Sequence, residues 1–164
     1  MKQYSLNRRT LAIDPCTKGF GFVVMEGPSL LVDYGVKGVM GDKNSACLKK
    51  IARLIEYYQP EMIVLENPIG KGSRRCLRVQ ELIVEISKLA SSKEIKSQKF
   101  SRSQIRKAFS SLGAFTKYQI ACSLAERFPE LALRLPPVRK SWMSEDERMS
   151  VFDAVALALT LLCS

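Results

Sequence analysis

Apolar positions along this chain follow two periods in turn, and the switches between them mark out its elements. Residues 11–14, 20–25 and 30–36 are short, largely apolar runs separated by Pro15-Cys16-Thr17-Lys18-Gly19 and by Gly27-Pro28. Runs of that length between Gly and Pro predict three strands in an antiparallel meander. The period then lengthens. Leu48, Ile51, Ala52, Ile55 and Tyr58 recur at helical spacing behind Asp42, a suitable cap, and Pro60 enforces a stop. A fourth strand is predicted over 62–65. Strand, helix, strand in that order is a crossover unit, so the fourth strand should lie parallel to one of the meander, with the first as favoured partner. Asp14 and Glu66 would then end adjacent strands at one edge.

Farther on, the spacing predicts a helix over 74–89 with Leu77, Ile83, Val84 and Ile86 inward, a short strand over 95–99, and helices over 101–109 and 117–128. Pro129, Pro136 and Pro137 mark a loop before a last helix. No internal repeat, low-complexity tract or interdomain linker interrupts the 164 residues, 46% of them apolar, so a single domain over 1–164 is expected. No apolar run reaches the roughly 18 residues of a membrane span. With a polar, basic N-terminus as well, a cytoplasmic protein is expected.

Three carboxylates break the apolar pattern. Asp14 closes Leu11-Ala12-Ile13, Glu66 closes Met62-Ile63-Val64-Leu65, and Asp153 lies inside the almost wholly apolar stretch 151–163. A buried carboxylate without a partner costs several kcal/mol or more, so each must be paired, hydrogen-bonded or bound to a cation. Their convergence suggests a metal site. Taken singly, Asp14 before Pro15 also suits a turn, Glu66 a solvated strand end, and Asp153 an ion pair with Arg148.

Charge narrows the chemistry. A formal net charge of +10 favours polyanions, nucleic acid first. The chain has no histidine, which removes the usual zinc enzymes and the Ser-His and Cys-His nucleophile systems. Five dispersed cysteines, Cys16, Cys47, Cys76, Cys122 and Cys163, form no C-x-x-C pair and are expected as reduced packing residues. Arg74, Arg75 and Arg78 crowd the start of a predicted helix, where positive charge opposes the helix dipole, and phosphate contact accounts for them better than stability. Lys18, Lys71, Arg102, Arg106 and Lys107 are further basic candidates. Phe115 and Trp142 are candidates for stacking on bases, or packing anchors. Gly70-Lys71-Gly72-Ser73 lacks the spacing of a phosphate-binding P-loop.

The runs LAIDPCTKGFGFVV, MIVLENP and FDAVALALT, taken together, resemble the RNase H-like nuclease superfamily and within it the RuvC-type Holliday junction resolvases. The resemblance implies an α/β RNase H-like fold: a mixed sheet, its antiparallel meander followed by a parallel crossover strand, flanked by helices. It implies Asp14, Glu66 and Asp153 as metal-holding catalytic carboxylates and places Lys117, in FSRSQIRKAFSSLGAFTKYQIA, at the family's lysine. Magnesium or manganese, as two ions, is the implied cofactor, and branched DNA cut by a homodimer the implied substrate and assembly. The family carries a further acid three residues before the helix aspartate, where this chain has Ser150. Asp146 is the favoured substitute, two helical turns or about 10.5 Å from Asp153, in competition with Glu145 and Glu147. Glu147 also completes a capping box with Ser144. Two other readings stay open: an RNase H-like nuclease of RNA, and an inactive nucleic-acid-binding module, which the serine at 150 allows.

Overall fold

Period-two alternation on the central strands decides which residues can meet. The computed structural model describes residues 8–70 and 75–163. Strands β1 (Arg9–Cys16), β2 (Gly19–Glu26) and β3 (Leu30–Gly38) form the meander, and helix α1 (Lys43–Tyr58) crosses over to β4 (Met62–Glu66). Then come α2 (Leu77–Ser92), β5 (Lys96–Phe100), α3 (Arg102–Ser110), α4 (Lys117–Arg127), a 3-10 turn (Pro129–Arg134) and α5 (Met149–Leu162). The sheet order is β3-β2-β1-β4-β5, antiparallel among the first three and parallel from β1 to β4 to β5. This is the RNase H-like α/β arrangement, with the crossover strand beside β1.

Because successive side chains point to opposite faces, β1 and β4 feed two separate cores. Leu11 and Ile13, with Ile63 and Leu65, pack under α1 and α2 beside Cys47, Ile51, Leu82, Ile83 and Ile86. Ala12 and Val64, with Val23 and Met25 of β2, face α5 and the helices around it. Asp14 and Glu66 share the parity of Ala12 and Val64. Both carboxylates therefore turn toward the α5 face.

Helix α5 runs across the middle of that face, and residues 149–161 are all buried. Its approach depends on Gly21, the β2 partner of Asp14 in the antiparallel register. A Cβ added at Gly21 would meet the carbonyl carbon and Oγ of Ser150 at 2.4 Å. Only a residue without a side chain lets α5 come this close, and that proximity brings Asp153 to the acidic edge.

Several boundaries differ from the sequence reading. Helix α2 begins at Leu77, not at 74, and its inward face is Val79, Leu82, Ile83, Ile86 and Ala90. Leu77 is 69% exposed and Val84 is exposed as well, because the helical phase set by those five turns both outward. Helix α5 begins only at Met149 behind Arg148, which makes no side-chain cap, so the Ser144–Glu147 capping box does not form. All five cysteines are unpaired, but only Cys47 is buried, so packing does not account for exposed Cys76 and Cys163. Among the described residues no helix is long and apolar enough to cross a membrane.

Candidate active site

Three elements bring three carboxylates together. The β1–β4 register runs Thr10 to Met62, Leu11 to Ile63 and Ala12 to Val64, and its continuation sets Asp14 opposite Glu66. Asp153 arrives from α5. Asp14 and Glu66 are each 2% exposed and Asp153 is 8% exposed. At such burial each needs a counter-charge, and each has one.

Arg75 joins the first two. Its Nη2 donates to Asp14 Oδ1 at 2.6 Å, its Nε to Glu66 Oε2 at 2.6 Å, and its Nη1 to the Pro15 carbonyl at 2.9 Å. Arg102, which follows the capping Ser101 of α3, joins the second and third: its Nε lies 2.8 Å from Glu66 Oε1 and its Nη1 3.5 Å from Asp153 Oδ1. Lys117, the first residue of α4, completes the chain at 3.0 Å from Asp153 Oδ2 and 2.6 Å from Glu145 Oε1. Three buried acids thus face three cations. The Asp153–Arg148 pair does not form, since Arg148 turns to Asp146.

The ionisation of these groups follows from the same contacts. Burial pushes the Asp14 carboxyl up to about 7; Arg75 opposes that rise and Asp153 adds to it. Burial works against the charges of Arg75, Arg102 and Lys117, but the carboxylates around them outweigh it and hold all three above their ordinary values. The cations therefore stay charged.

Asp14, Arg75, Lys117 and Asp153 of the cluster line a cleft of about 850 Å³ together with Lys18, Lys43, Arg78, Glu145, Asp146 and Glu147. Lys18 pairs with Glu147 at 3.2 Å, and Arg78 is tied to Asn44 at 3.2 Å and to the Cys16 carbonyl at 3.4 Å. Of the basic positions picked from the sequence, Lys18, Arg75, Arg78 and Lys117 all line this cleft. Lys71 and Arg74 lie outside the described residues. Phe115 and Trp142 are both exposed, so neither is a packing anchor.

Asp146 lines the cleft, but not through the helical phase expected of it: it precedes α5, and its carboxylate is bound by Arg148 through Nε at 2.9 Å and Nη2 at 2.7 Å. Those bonds hold its carboxyl down at about 2. Glu145, which shares Lys117 with Asp153, is the acid of this loop that reaches the cluster. Arg102 was underrated in the sequence. Its signal was the short distance from a strand end to a capped helix, which sets it beside the neighbouring strand's terminal Glu66.

A divalent ion tests this arrangement in two ways. The donor set is three buried hard-oxygen ligands, which is the chemistry magnesium requires. Spacing is another matter: among the described residues no three acids stand together as a ready cage. Arg75 bridges Asp14 and Glu66, and Arg102 bridges Glu66 and Asp153, so an ion reaches the Asp14–Glu66 pair once Arg75 moves and all three acids once both arginines do.

The fold is shared with solved structures. RuvC of Thermus thermophilus matches at 15% identity and a TM-score of 0.68, over 93% of this chain and 92% of that one. The same enzyme in complex with a Holliday junction substrate matches at 14% identity and a TM-score of 0.66, over 93% and 91%. The yeast mitochondrial Holliday junction resolvase Ydc2 matches at 16% identity and a TM-score of 0.67, over 97% and 79%. At these identities the likeness is one of fold. No protein-family model matches the chain, and neither does any curated protein.

Proposed function

We propose that the protein is a divalent-metal-dependent endonuclease of branched DNA, with Asp14, Glu66 and Asp153 as the carboxylates that hold the metal. The observation that carries this reading is the convergence of three buried acids from β1, β4 and α5 on one edge of a RuvC-like fold, two of them, Asp14 and Asp153, lining a cleft that also carries Lys18, Lys43, Arg75, Arg78 and Lys117. Held by these carboxylates, a pair of magnesium or manganese ions would supply an activated water and stabilisation of the leaving oxygen. Glu145 replaces Asp146 as the fourth acid we assign to the site.

The chain's own groups do the rest. Lys18 and Arg78 stand on the cleft wall where a phosphodiester backbone would be held, and Lys117 keeps positive charge beside Asp153. The apolar packing of α5 behind Asp153 keeps bulk water from the rear of the cluster, which strengthens every electrostatic contact in front of it. A symmetric four-way junction would be cut by two copies of the chain.

A second reading has a specific observation behind it. Arginines already neutralise the carboxylates, as in a binding module that keeps the fold without the chemistry. A substrate panel separates the two: a four-way junction, a flap, a linear duplex and an RNA hairpin, each with magnesium or manganese. The nuclease reading expects the junction to be cut, and Asp14→Asn and Glu66→Gln to bind it uncut. Binding with no cleavage of any substrate by the wild type would establish the module instead, and cleavage of the RNA alone would move the substrate class.

A further inference from the structure

Arg75 occupies the oxygens that an ion would need. Its guanidinium takes Oδ1 of Asp14 and Oε2 of Glu66 at 2.6 Å each and is braced on the Pro15 carbonyl, so each of its three nitrogens is bonded inside the cluster. An ion held by Asp14 and Glu66 needs carboxylate oxygens at about 2.0–2.1 Å, which a guanidinium in hydrogen-bonding contact with the same two groups blocks by space and by charge. Metal binding in the absence of substrate must therefore expel Arg75. Its side chain is only 19% exposed where it is, so expulsion with no new partner gives up two close ion pairs for water alone.

Substrate offers that partner. Guanidinium binds phosphate through the same planar fork that binds carboxylate. Arg75 is also placed to turn: it lies ahead of α2, outside the helical hydrogen-bond ladder, on the cleft wall shared with Arg78 and Lys18. Arg102, bonded to Glu66 and Asp153 from the side of α3, closes the cluster in the same manner.

We propose that Arg75 is an exchangeable internal cation: without DNA it closes the carboxylate cluster, and on binding DNA it passes to a phosphate and opens the cluster to the divalent ion. Ion and DNA then load cooperatively, and by linkage each tightens the other by the same factor. The proposal rests on the carboxylates being the metal site.

Calorimetric titration with calcium, another oxygen-seeking divalent ion, tests it on the full chain. Titrations are run with and without a saturating four-way junction, uptake by the junction alone is subtracted, and the DNA is checked for integrity on a denaturing gel. Wild type should take up calcium about 5–150-fold more tightly with the junction present, the usual range of such coupling. Arg75→Gln should bind the ion more tightly than wild type without DNA and gain less from it. Asp14→Asn should lose the ion under both conditions. If Asp14→Asn binds calcium as wild type does, the metal-site reading fails, and the exchange with it. If Asp14→Asn loses the ion while wild type binds it equally with and without DNA, the site stands and the exchange is overturned. The wild-type comparison needs no substitution, so misfolding of Arg75→Gln would not shield the proposal.

Discussion

Replacing Gly21 by alanine is the sharpest test of how the site is assembled, because it touches none of the acids. The new Cβ would lie 2.4 Å from the Ser150 carbonyl carbon and 2.5 Å from its oxygen, and real Cβ contacts begin near 3.0 Å. Helix α5 or β2 must retreat by about 0.6 Å. Much of the obstacle is backbone, so Ser150→Ala would not relieve it. Overpacking of this kind costs about 1–3 kcal/mol. For a chain of this length that lowers Tm by about 2–12 °C. The same retreat carries Asp153 away from Asp14, and displacements approaching 1 Å cost an active site up to about 10²-fold in rate. Gly35→Ala is the control, since its Cβ would meet only the Phe22 ring at 3.5 Å, an ordinary contact. With no close contact and no left-handed φ at Gly35, it should leave stability unchanged or raise it by up to about 1 kcal/mol. Thermal melts of the three proteins, followed by junction cleavage, read both effects. If Gly21→Ala melts and cleaves as Gly35→Ala does, α5 is not held at this spacing.

The carboxylates supply two further predictions. Asp14 keeps its proton up to about 7 when folded and only to about 4 when unfolded, so between those values the native state binds more protons and stability should fall as pH rises. Denaturant melts without divalent ions should show this decline in wild type and a flatter profile in Asp14→Asn; parallel profiles would refute the assigned ionisation. Asp153→Asn should destabilise the metal-free protein by stranding Lys117 and Arg102, on the order of 1–3 kcal/mol rather than the 3–5 of a fully buried pair, because Lys117 keeps 35% of its side chain exposed. A rise in Tm would mean that the cluster is dominated by repulsion instead.

What could be read from the chain follows from where pattern is strong. Leu11-Ala12-Ile13 and Met62-Ile63-Val64-Leu65 are apolar on both faces, so the strands and the edge where Asp14 and Glu66 meet were legible before any coordinates. Helix starts were less so. Arg75 reads as part of the first turn of α2, but that helix starts at Leu77, and Arg75 outside it bridges two of the acids. Turn-counting does not reach Asp146, which lies in a segment that is not helical, because the polar run 144–148 carries no apolar periodicity to date the start of α5. Arg102 was one cation among 26. Its importance comes from the pairing of Glu66 with Phe100 across the parallel β4–β5 ladder, a register no local pattern announces.

The position of α5 also has a consequence in time. One apolar face of the sheet can be covered by α1 and α2 once the first 92 residues exist, whereas the opposite face, with Ala12, Val23, Met25 and Val64, waits for a helix that begins at Met149. As the chain leaves the ribosome, the part that supplies Asp14 and Glu66 is made before α5 and carries an uncovered sticky surface, prone to association, until α5 follows. Asp153 rides on the piece that covers it. Synthesis of α5, burial of that surface and assembly of the third carboxylate are therefore a single event, and a chain released before α5 would lack both the cover and the third acid.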